Sequence, residues 1–288
     1  MRQTLNKLEL DPETFNAIAD LAYKESGLQL VVEKSSMIQS RLRHRLNAVG
    51  ISSFAHYVEL VKSDQGREER KNMISALTTN VSHFFRESHH FDTLVTEVFP
   101  AALPKLRAGG RFRIWSAGSS NGQEAFSILI SLAEAFPDLD KYDVKILATD
   151  IDPEVVAFSK NARYPERFVA GVPAGLLKKY FHKSDDASGA IYTVNSNLRN
   201  KVFFNELNLL APWPIKNQMD AIFCRNVVIY FDQETQNALW QRFKKQLHKG
   251  GYLFLGHSER ISDPAEFGFY SDGPTTYKPV NPADAGNS

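Results

Sequence analysis

Apolar positions in the first third of the chain recur at helical spacing, and the helix boundaries are marked by capping residues. Asp11-Pro12-Glu13 supplies an N-cap, a first-turn proline and an acid at the positive end of the helix dipole. Phe15, Ile18, Ala19, Leu21 and Ala22 form the apolar stripe behind it, and Gly27 ends the run. A second helix is predicted from about Ser35 to Val49, with Gly50 as its stop. A third, capped by Ser52, carries Phe54, Tyr57, Val58 and Val61. After Ser63–Gly66 a fourth runs to about Leu77. Short loops join these helices into a small all-α helical domain over 11–90, with the residues before Asp11 frayed. Glu87–Phe99 reads as a further helix and Pro100–Gly110 as its link onward, so that 91–109 forms a linker helix.

Beyond this point the pattern alternates short apolar runs with amphipathic ones, which predicts an α/β domain over 110–280. Arg113–Ala117 is a short buried strand. Gly118-Ser119-Ser120-Asn121-Gly122 turns the chain, and Ala125, Phe126, Ile128, Leu129, Leu132 and Ala133 resume helical spacing. Lys145–Asp150 is a second strand, and Asp152-Pro153 opens another helix. Ile191–Val194 and Val202–Phe204 read as strands joined by the polar turn Asn195–Asn200, an antiparallel hairpin inserted at about 178–206. Asp220–Tyr230 is a strongly apolar strand interrupted by Arg225-Asn226. Asp232 caps a helix bearing Leu239, Trp240, Phe243 and Leu247, and Gly250-Gly251 ends it. Tyr252–Leu255 is the next strand, Thr275–Pro279 an edge strand, and 281–288 a disordered tail.

The strand–turn–helix at Gly118 is the opening of a nucleotide-type site, because a glycine turn lets backbone approach a ligand that a Cβ would exclude. Alone it is equally an ordinary connection. Asp150 adds a second feature: in doubly wound sheets an acid at the end of the second strand accepts hydrogen bonds from ribose hydroxyls. The turn matches neither G-x-G-x-x-G nor G-x-x-x-x-G-K-S/T, which argues against a dinucleotide and excludes a P-loop. An adenosyl ligand without phosphates remains, which suggests S-adenosylmethionine. Thr78–Arg86 (TTNVSHFFR) is either a capped linker or a ligand contact, and Arg225-Asn226 either a structural ion pair or a ligand site at a strand end. Arg41, Arg43 and Arg45 on the second helix form a solvated basic face or a dock for an acidic helix.

Composition narrows the classes. The 288-residue chain is 43% hydrophobic with a formal net charge of +1, so it can bury a core and is not a generally basic nucleic-acid binder. Its single cysteine, Cys224, excludes a disulfide framework. The N-terminus has no apolar core typical of a secretion signal, and no run approaches the roughly 20 apolar residues a membrane helix needs. A cytoplasmic protein without membrane insertion is expected.

SRLRHRL, ALTTNVSHFFRE, the glycine turn with GQEAFS, ATDID, NLL, and FCRNVVIYF followed by GHSE occur in one order along nearly the whole chain. Together they resemble the CheR family, S-adenosylmethionine-dependent glutamate methyltransferases of chemotaxis receptors. The resemblance implies a Rossmann-like S-adenosylmethionine methyltransferase domain with an inserted small antiparallel β-subdomain, preceded by the helical domain. It implies cofactor contacts at Asn80, Ser82, Arg86, Gly118, Glu124, Asp150, Asn208, Leu209, Arg225 and Asn226. It places Arg86 and Tyr230 nearest the methyl group and the incoming carboxylate, and Arg41, Arg43 and Arg45 where the family docks acidic receptor helices. The product would be S-adenosylhomocysteine, and no metal or nucleic acid is expected. The family commonly shows G-E-E-x-Y-S, where this chain has Gln123 and Phe126; Ser82 stands where Thr is frequent.

The chemistry agrees with this assignment. A glutamate carboxyl with a pKa near ~4.3 is already an anionic nucleophile at neutral pH, so no general base is required. His257 and Cys224 have no evident partners in the sequence. An anion attacking a sulfonium methyl must chiefly be desolvated and aligned. Arg86 would hold the cofactor's own carboxylate by a charge-assisted bond, and Tyr230 would orient the substrate by a weaker neutral one. Two other functions remain open. A nucleic-acid methyltransferase would need an Asp/Asn-Pro-Pro-Tyr/Phe signature, which is absent, and a non-catalytic S-adenosylmethionine-binding sensor would carry a damaged cofactor motif. Some family members grip a receptor's C-terminal peptide on the β-subdomain; the loop Ser184–Gly189, with Arg199 and Lys201 close by, favours that type.

Overall fold

The computed structural model describes residues 9–187 and 189–280. The expected tail at 281–288, the first eight residues and Ser188 of the Ser184–Gly189 loop lie outside the described residues. Two units are distinguished. One comprises the chain up to Thr79 with Tyr230–Asp232, and the other comprises Asn80–Ile229 with the chain from Gln233 onward.

In the first unit, α1 (Pro12–Ser26) begins where Asp11 accepts the Thr14 N–H at 2.9 Å. It ends where Gly27, left-handed at φ 72°, returns its N–H to Tyr23 O. The stripe of α1 is buried at Phe15, Ile18 and Ala22, and that of α2 (Ser35–Ala48) at Ile38, Leu42 and Leu46. Helix α3 (Phe54–Lys62) is capped by Ser53 rather than the expected Ser52, its Oγ accepting the His56 N–H at 3.2 Å. Both serines suit the role chemically; only Ser53 is in reach once Phe54 and Tyr57 turn to the core. Helix α4 (Arg67–Leu77) contributes the buried Glu69, which accepts from Arg45 Nε and Nη2 at 3.0 and 2.6 Å and from the Tyr57 hydroxyl at 2.7 Å.

The second unit opens with α5 (His89–Thr93), which widens into a π turn at Leu94–Val98 and continues as α6 (Phe99–Arg107). The expected link after Phe99 is therefore helical. Pro100 sits at the start of α6, where a missing N–H is tolerated, and the widened turn directly precedes it. Strand β1 (Arg111–Ala117), α7 (Gln123–Ala135), β2 (Asp143–Asp150) and α8 (Pro153–Asn161) follow in doubly wound order. After them come β3 (Arg163–Pro165), α9 (Glu166–Val169), α10 (Ala174–Tyr180), β4 (Phe181–Asp186), β5 (Gly189–Val194) and α11 (Ser196–Arg199). Strands β6 (Val202–Glu206) and β7 (Met219–Cys224), α12 (Gln233–Gln246), β8 (Leu247–Leu255), β9 (Phe269–Ser271) and β10 (Thr276–Pro279) complete the unit.

A seven-stranded sheet runs β6-β2-β1-β7-β8-β10-β9, parallel through β8 and with β10 antiparallel to both β8 and β9, and a separate antiparallel sheet runs β3-β5-β4. The inserted antiparallel β-subdomain is thus present, but the expected hairpin between Ile191–Val194 and Val202–Phe204 is not. Strand β5 pairs with β3 and β4, whereas β6 pairs in parallel with β2, Phe204 opposite Ala148. One helical turn, α11, replaces the predicted polar turn, and the alternation of β6 directs Val202 and Phe204 into the main core. Three smaller expectations also change. Strand β7 stops at Cys224, β8 begins already at Leu247, and β10 lies between β8 and β9, leaving β9 at the edge.

Helix α7 is the spine of the core. Phe126 is fully buried against the rings of Tyr164 and Phe204, contacts that need no hydroxyl, and Gln123 Nε2 donates to Phe168 O at 3.2 Å. Of the two departures from the family pattern, Phe126 is a packing residue, whereas Gln123 leaves its buried Oε1 without a partner.

Candidate functional site

The C-terminal ends of β1, β2 and β7 carry Gly118, Asp150, Arg225 and Asn226 among the residues singled out from the sequence. After β1 the chain turns sharply, and the N–H groups of Gly118 and Ser119 both donate to Thr149 O at 2.8 Å. Gly118 has φ 78°, and a Cβ there would meet Val227 Cγ2 at 2.3 Å, so only glycine fits. Ser120, also left-handed at φ 47°, donates its N–H to Asp150 Oδ2 at 2.8 Å, while Asp150 Oδ1 accepts from Asp152 N at 3.0 Å. Burial pushes the Asp150 carboxyl up to about 6 in spite of these donors. Beside it the buried hydroxyls of Ser119 and Ser120 have no partner.

The loop before α5 closes around the same strand ends. Asn80 Nδ2 donates to Asp152 Oδ2 at 2.7 Å, and Ser82 is half-buried in the same segment. Phe85 and Glu87 on either side of Arg86 are left-handed at φ 57° and 54°, conformations that non-glycine residues adopt at a cost. The Phe85 N–H is tied to Ser127 Oγ at 2.9 Å. Arg86 Nη1 donates to Val81 O at 3.2 Å, and its carbonyl accepts from Arg225.

Arg225, with a side chain 2% exposed, is the centre of a charged cluster. Its Nη2 lies 3.3 Å from Glu87 Oε2 and its Nη1 3.4 Å from Glu124 Oε2, with the guanidinium over the Phe91 ring. Burial raises the Glu124 carboxyl, opposed by Arg225 and by the Ser116 hydroxyl, which donates at 2.7 Å. Burial would also raise Glu87, but Arg225 and His257 outweigh it and hold that carboxyl below its usual range. His257 Nδ1 is 3.1 Å from Glu87 Oε1, so it has a partner that the sequence did not reveal. His90, fully buried, is pushed down to about 3 by burial and by Arg225, and is neutral, with Nε2 at 3.0 Å from Thr275 Oγ1. Asn226, left-handed at φ 60°, directs Nδ2 to Glu87 Oε1 at 3.4 Å.

The remaining candidates are held differently. Leu207 N–H bonds to Asp150 O, which brings Asn208 and Leu209 beside β2; Asn208 Oδ1 accepts from Leu210 N, and Leu209 O accepts from Trp213 Nε1. Tyr230 is described with the first unit, where its carbonyl accepts from Gln29 N–H. Also in that unit, Arg45 is bound to Glu69 and Arg41 Nη1 donates to Leu77 O and Thr78 O at 3.0 and 2.7 Å. Arg43 is half-buried.

Sequence reasoning passed over Glu87, Asp152, Ser116 and Glu259 as site residues. Glu259 is 2% exposed and accepts the N–H groups of Asn226, Val227, Ile229 and Gly256. Glu87 and Glu259 end the quoted motifs ALTTNVSHFFRE and GHSE, and an acid closing a small-residue motif was the available signal. A glycine turn, unpartnered serine hydroxyls and a buried carboxylate in one place fit the hydroxyls of an adenosyl ligand. No His/Cys/Asp/Glu group able to hold a metal ion and no helix long and apolar enough to cross a membrane occurs among the described residues.

Residues 80–273 match the family described as CheR methyltransferase, SAM binding domain, and residues 13–78 match CheR methyltransferase, all-alpha domain. A probable chemotaxis protein methyltransferase of Rhizobium etli is 44% identical over 258 residues, 90% of this chain and 96% of that protein. The chemotaxis protein methyltransferase of Escherichia coli K12 is 37% identical, covering 96% of this chain and 93% of its own. Chemotaxis protein methyltransferase 2 of Pseudomonas aeruginosa PAO1 is 38% identical, covering 93% of each.

Proposed function

Because the chain belongs to the CheR methyltransferase family, a family of S-adenosylmethionine-dependent methyltransferases, we propose that its acceptors are glutamate side chains on the cytoplasmic helices of a chemoreceptor. The products are glutamate methyl esters and S-adenosylhomocysteine, and the reaction adapts a chemotaxis-type signalling system in the cytoplasm. The observation that carries this reading is the near full-length match to proteins named for chemotaxis methylation.

Bound S-adenosylmethionine supplies an electrophilic methyl group on a sulfonium centre. The chain's own residues then have four tasks. Asp150 accepts from the ribose hydroxyls, and the Gly118 turn lets backbone approach the ligand. Asn80 and Ser82 contact the cofactor or its methionine end. Asn208-Leu209 and Arg225-Asn226 close around the adenosyl group, with Glu124 paired to Arg225 in a site largely shielded from water, where fixed charges act strongly. Arg86 holds a carboxylate and Tyr230 orients the incoming one by a neutral hydrogen bond, which leaves the nucleophile its charge. A carboxylate acceptor needs no base, and the neutral, hydrogen-bonded His90 is suited to packing rather than proton transfer.

The acceptor helix is acidic and meets α2. Arg41 keeps its net charge because its partners are neutral carbonyls, whereas the charge of Arg45 is balanced by Glu69. Of these two, Arg41 is therefore the better candidate for attracting acidic residues, with Arg43 on the same helix. The edge strand β4 is open to strand addition by a receptor's C-terminal peptide, a tether that would raise the local concentration of acceptor helices.

The test is transfer of labelled methyl from S-adenosylmethionine to an acidic receptor helix, followed by mild alkali. Label released as methanol supports a glutamate ester, and Gln in place of the target Glu should abolish it. Alkali-stable label on protein or on nucleic acid would replace this reading with another methyltransferase activity. Binding without transfer to any acceptor would favour a sensor.

A further inference from the structure

The turn that carries Arg225 and Asn226 is not held by its own sequence. Strand β7 ends at Cys224, and the next residues leave the sheet in a conformation that includes a left-handed Asn226 at φ 60°. Asparagine tolerates this region better than most side chains, but still at a cost relative to glycine. What fixes the turn comes from beyond β8. Glu259 Oε2 accepts the N–H groups of Asn226 and Gly256 at 2.8 and 2.6 Å, and Oε1 accepts those of Val227 and Ile229 at 2.8 and 3.3 Å. One carboxylate thus uses both oxygens, each twice, on four backbone donors. Gly256 completes the arrangement, since a Cβ there would stand 2.5 Å from Asn226 Nδ2 and 2.8 Å from Glu259 Oε2.

We propose that Glu259 is a positioning residue of the methyl-transfer site, whose carboxylate holds the turn after β7 in the one conformation that presents Arg225 and Asn226 to the cofactor. The inference rests on the reading above that this pair serves the cofactor. The hydrogen bonds of Glu259 are to backbone N–H groups, so it acts through the pair. The left-handed turn would otherwise relax, and with it the reach of Asn226 Nδ2 toward Glu87 and of Arg225 toward Glu124.

The donor pattern makes the usual conservative change a severe one. In Glu259→Gln one oxygen still accepts two N–H groups, but the amide NH2 faces two further donors and must repel them. Glu259→Asp keeps all acceptors on a shorter arm. The experiment is calorimetric titration of the full chain with S-adenosylhomocysteine, with thermal melting of each variant. Glu259→Gln should weaken binding by at least about tenfold, and Glu259→Asp by less. Glu259→Gln combined with Asn226→Ala should be no weaker than the worse single variant, because both remove one unit. Asp220→Asn, a substitution at the far end of β7, serves as a destabilised control and should bind as the wild type does.

If Glu259→Gln melts cooperatively and binds within about twofold of wild type, or if its effect adds fully to that of Asn226→Ala, the proposal is overturned and the site reading stands. If Glu259→Gln does not fold, Glu259→Asp decides: a loss beyond that of the control upholds the proposal, and none overturns it. A wild-type chain that binds no S-adenosylhomocysteine overturns the site reading and the proposal together.

Discussion

Strand β7 carries a buried charge at each end, and the two are treated in opposite ways. At its start Asp220 is 4% exposed, and both oxygens are used: Lys105 Nζ and His248 Nε2 donate to Oδ1 at 3.0 and 2.7 Å, and Arg113 N–H to Oδ2 at 2.7 Å. Burial would raise its carboxyl, but these donors outweigh burial and hold it below the usual range. Just past its other end Arg225 is 6% exposed, lies 3.3 and 3.4 Å from two carboxylates, and leaves Nε without a partner. Left-handed Phe85, Glu87 and Asn226 surround it. A satisfied cluster serves the fold, whereas unmet polar atoms beside left-handed residues are what the proposed ligand site would require.

The largest effect expected from this contrast is on stability at the satisfied end. Asp220→Ala leaves a histidine, a backbone N–H and a half-exposed lysine without their acceptor, and should destabilise the fold by about 2–4 kcal/mol. Denaturant unfolding measures the loss. Affinity for S-adenosylhomocysteine in the folded fraction should stay at the wild-type value; a parallel loss of affinity would erase the distinction between the two ends.

The sequence marks one side of this contrast, Arg225-Asn226 at a strand end, and gives no sign of the Asp220 cluster. Caps and stripes located the four N-terminal helices because those signals are local: Asp11 reaches only to Thr14 and Gly27 only to Tyr23. The Gly118 turn and Asp150 could be read because a strand, small residues and a terminal acid follow one another along the chain. What escaped depends on distant partners. Strands β5 and β6 look alike in sequence, and nothing local says that one joins β4 and the other β2. The Asn226–Glu259 bond spans 33 residues and the Asn226–Glu87 bond 139. Arg45 reads in sequence as part of a solvated face or of a dock for an acidic helix, and its partner Glu69 lies 24 residues away. Left-handed Phe85 and Glu87 were invisible because side chains of those types predict the opposite hand, and Asn226, of a type that enters this region more readily, stands inside an apolar run that reads as strand.

An intermediate effect is expected at the ligand end, on affinity and its pH dependence. Asp150 is pushed up to about 6, so in the free chain its carboxylate is mostly charged at pH 7 and mostly protonated at pH 5. A ribose hydroxyl needs the charged acceptor. Affinity for S-adenosylhomocysteine should therefore fall as pH drops through about 6, approaching tenfold per unit below it. Asp150→Asn should bind about 10–100-fold more weakly at pH 7 and lose that slope. Calorimetry from pH 5 to 8 on both proteins checks the prediction, and a wild-type affinity flat across this range would remove Asp150 from the ribose contact.

The smallest effect returns to Asp220 and asks whether its cluster titrates as a stability device should. His248 is raised from its ordinary value chiefly by its hydrogen bond to Asp220, against an opposing contribution from burial. A histidine raised on folding contributes stability that is fully present below its unfolded pKa, near ~6.5, and is lost as pH rises through the higher folded value. Asp220 is shifted the other way, so its contribution holds above the ordinary carboxylate range and disappears in acid. The pair should therefore support the fold most between those limits and less toward pH 8. About a third of the His248 side chain is open to solvent, which screens the interaction and keeps the expected change below about 1 kcal/mol. Asp150 has the opposite sign to Asp220 and the same sign as His248, because a group raised on folding favours the fold as pH falls through its folded value, here about 6. The two contributions separate by mutation. His248→Gln should flatten the decline in unfolding free energy from pH 6.5 to 8 while leaving the Asp150 contribution below pH 6.5 in place. If the variant keeps the wild-type slope above pH 6.5, the Asp220–His248 bond is not what the fold loses there.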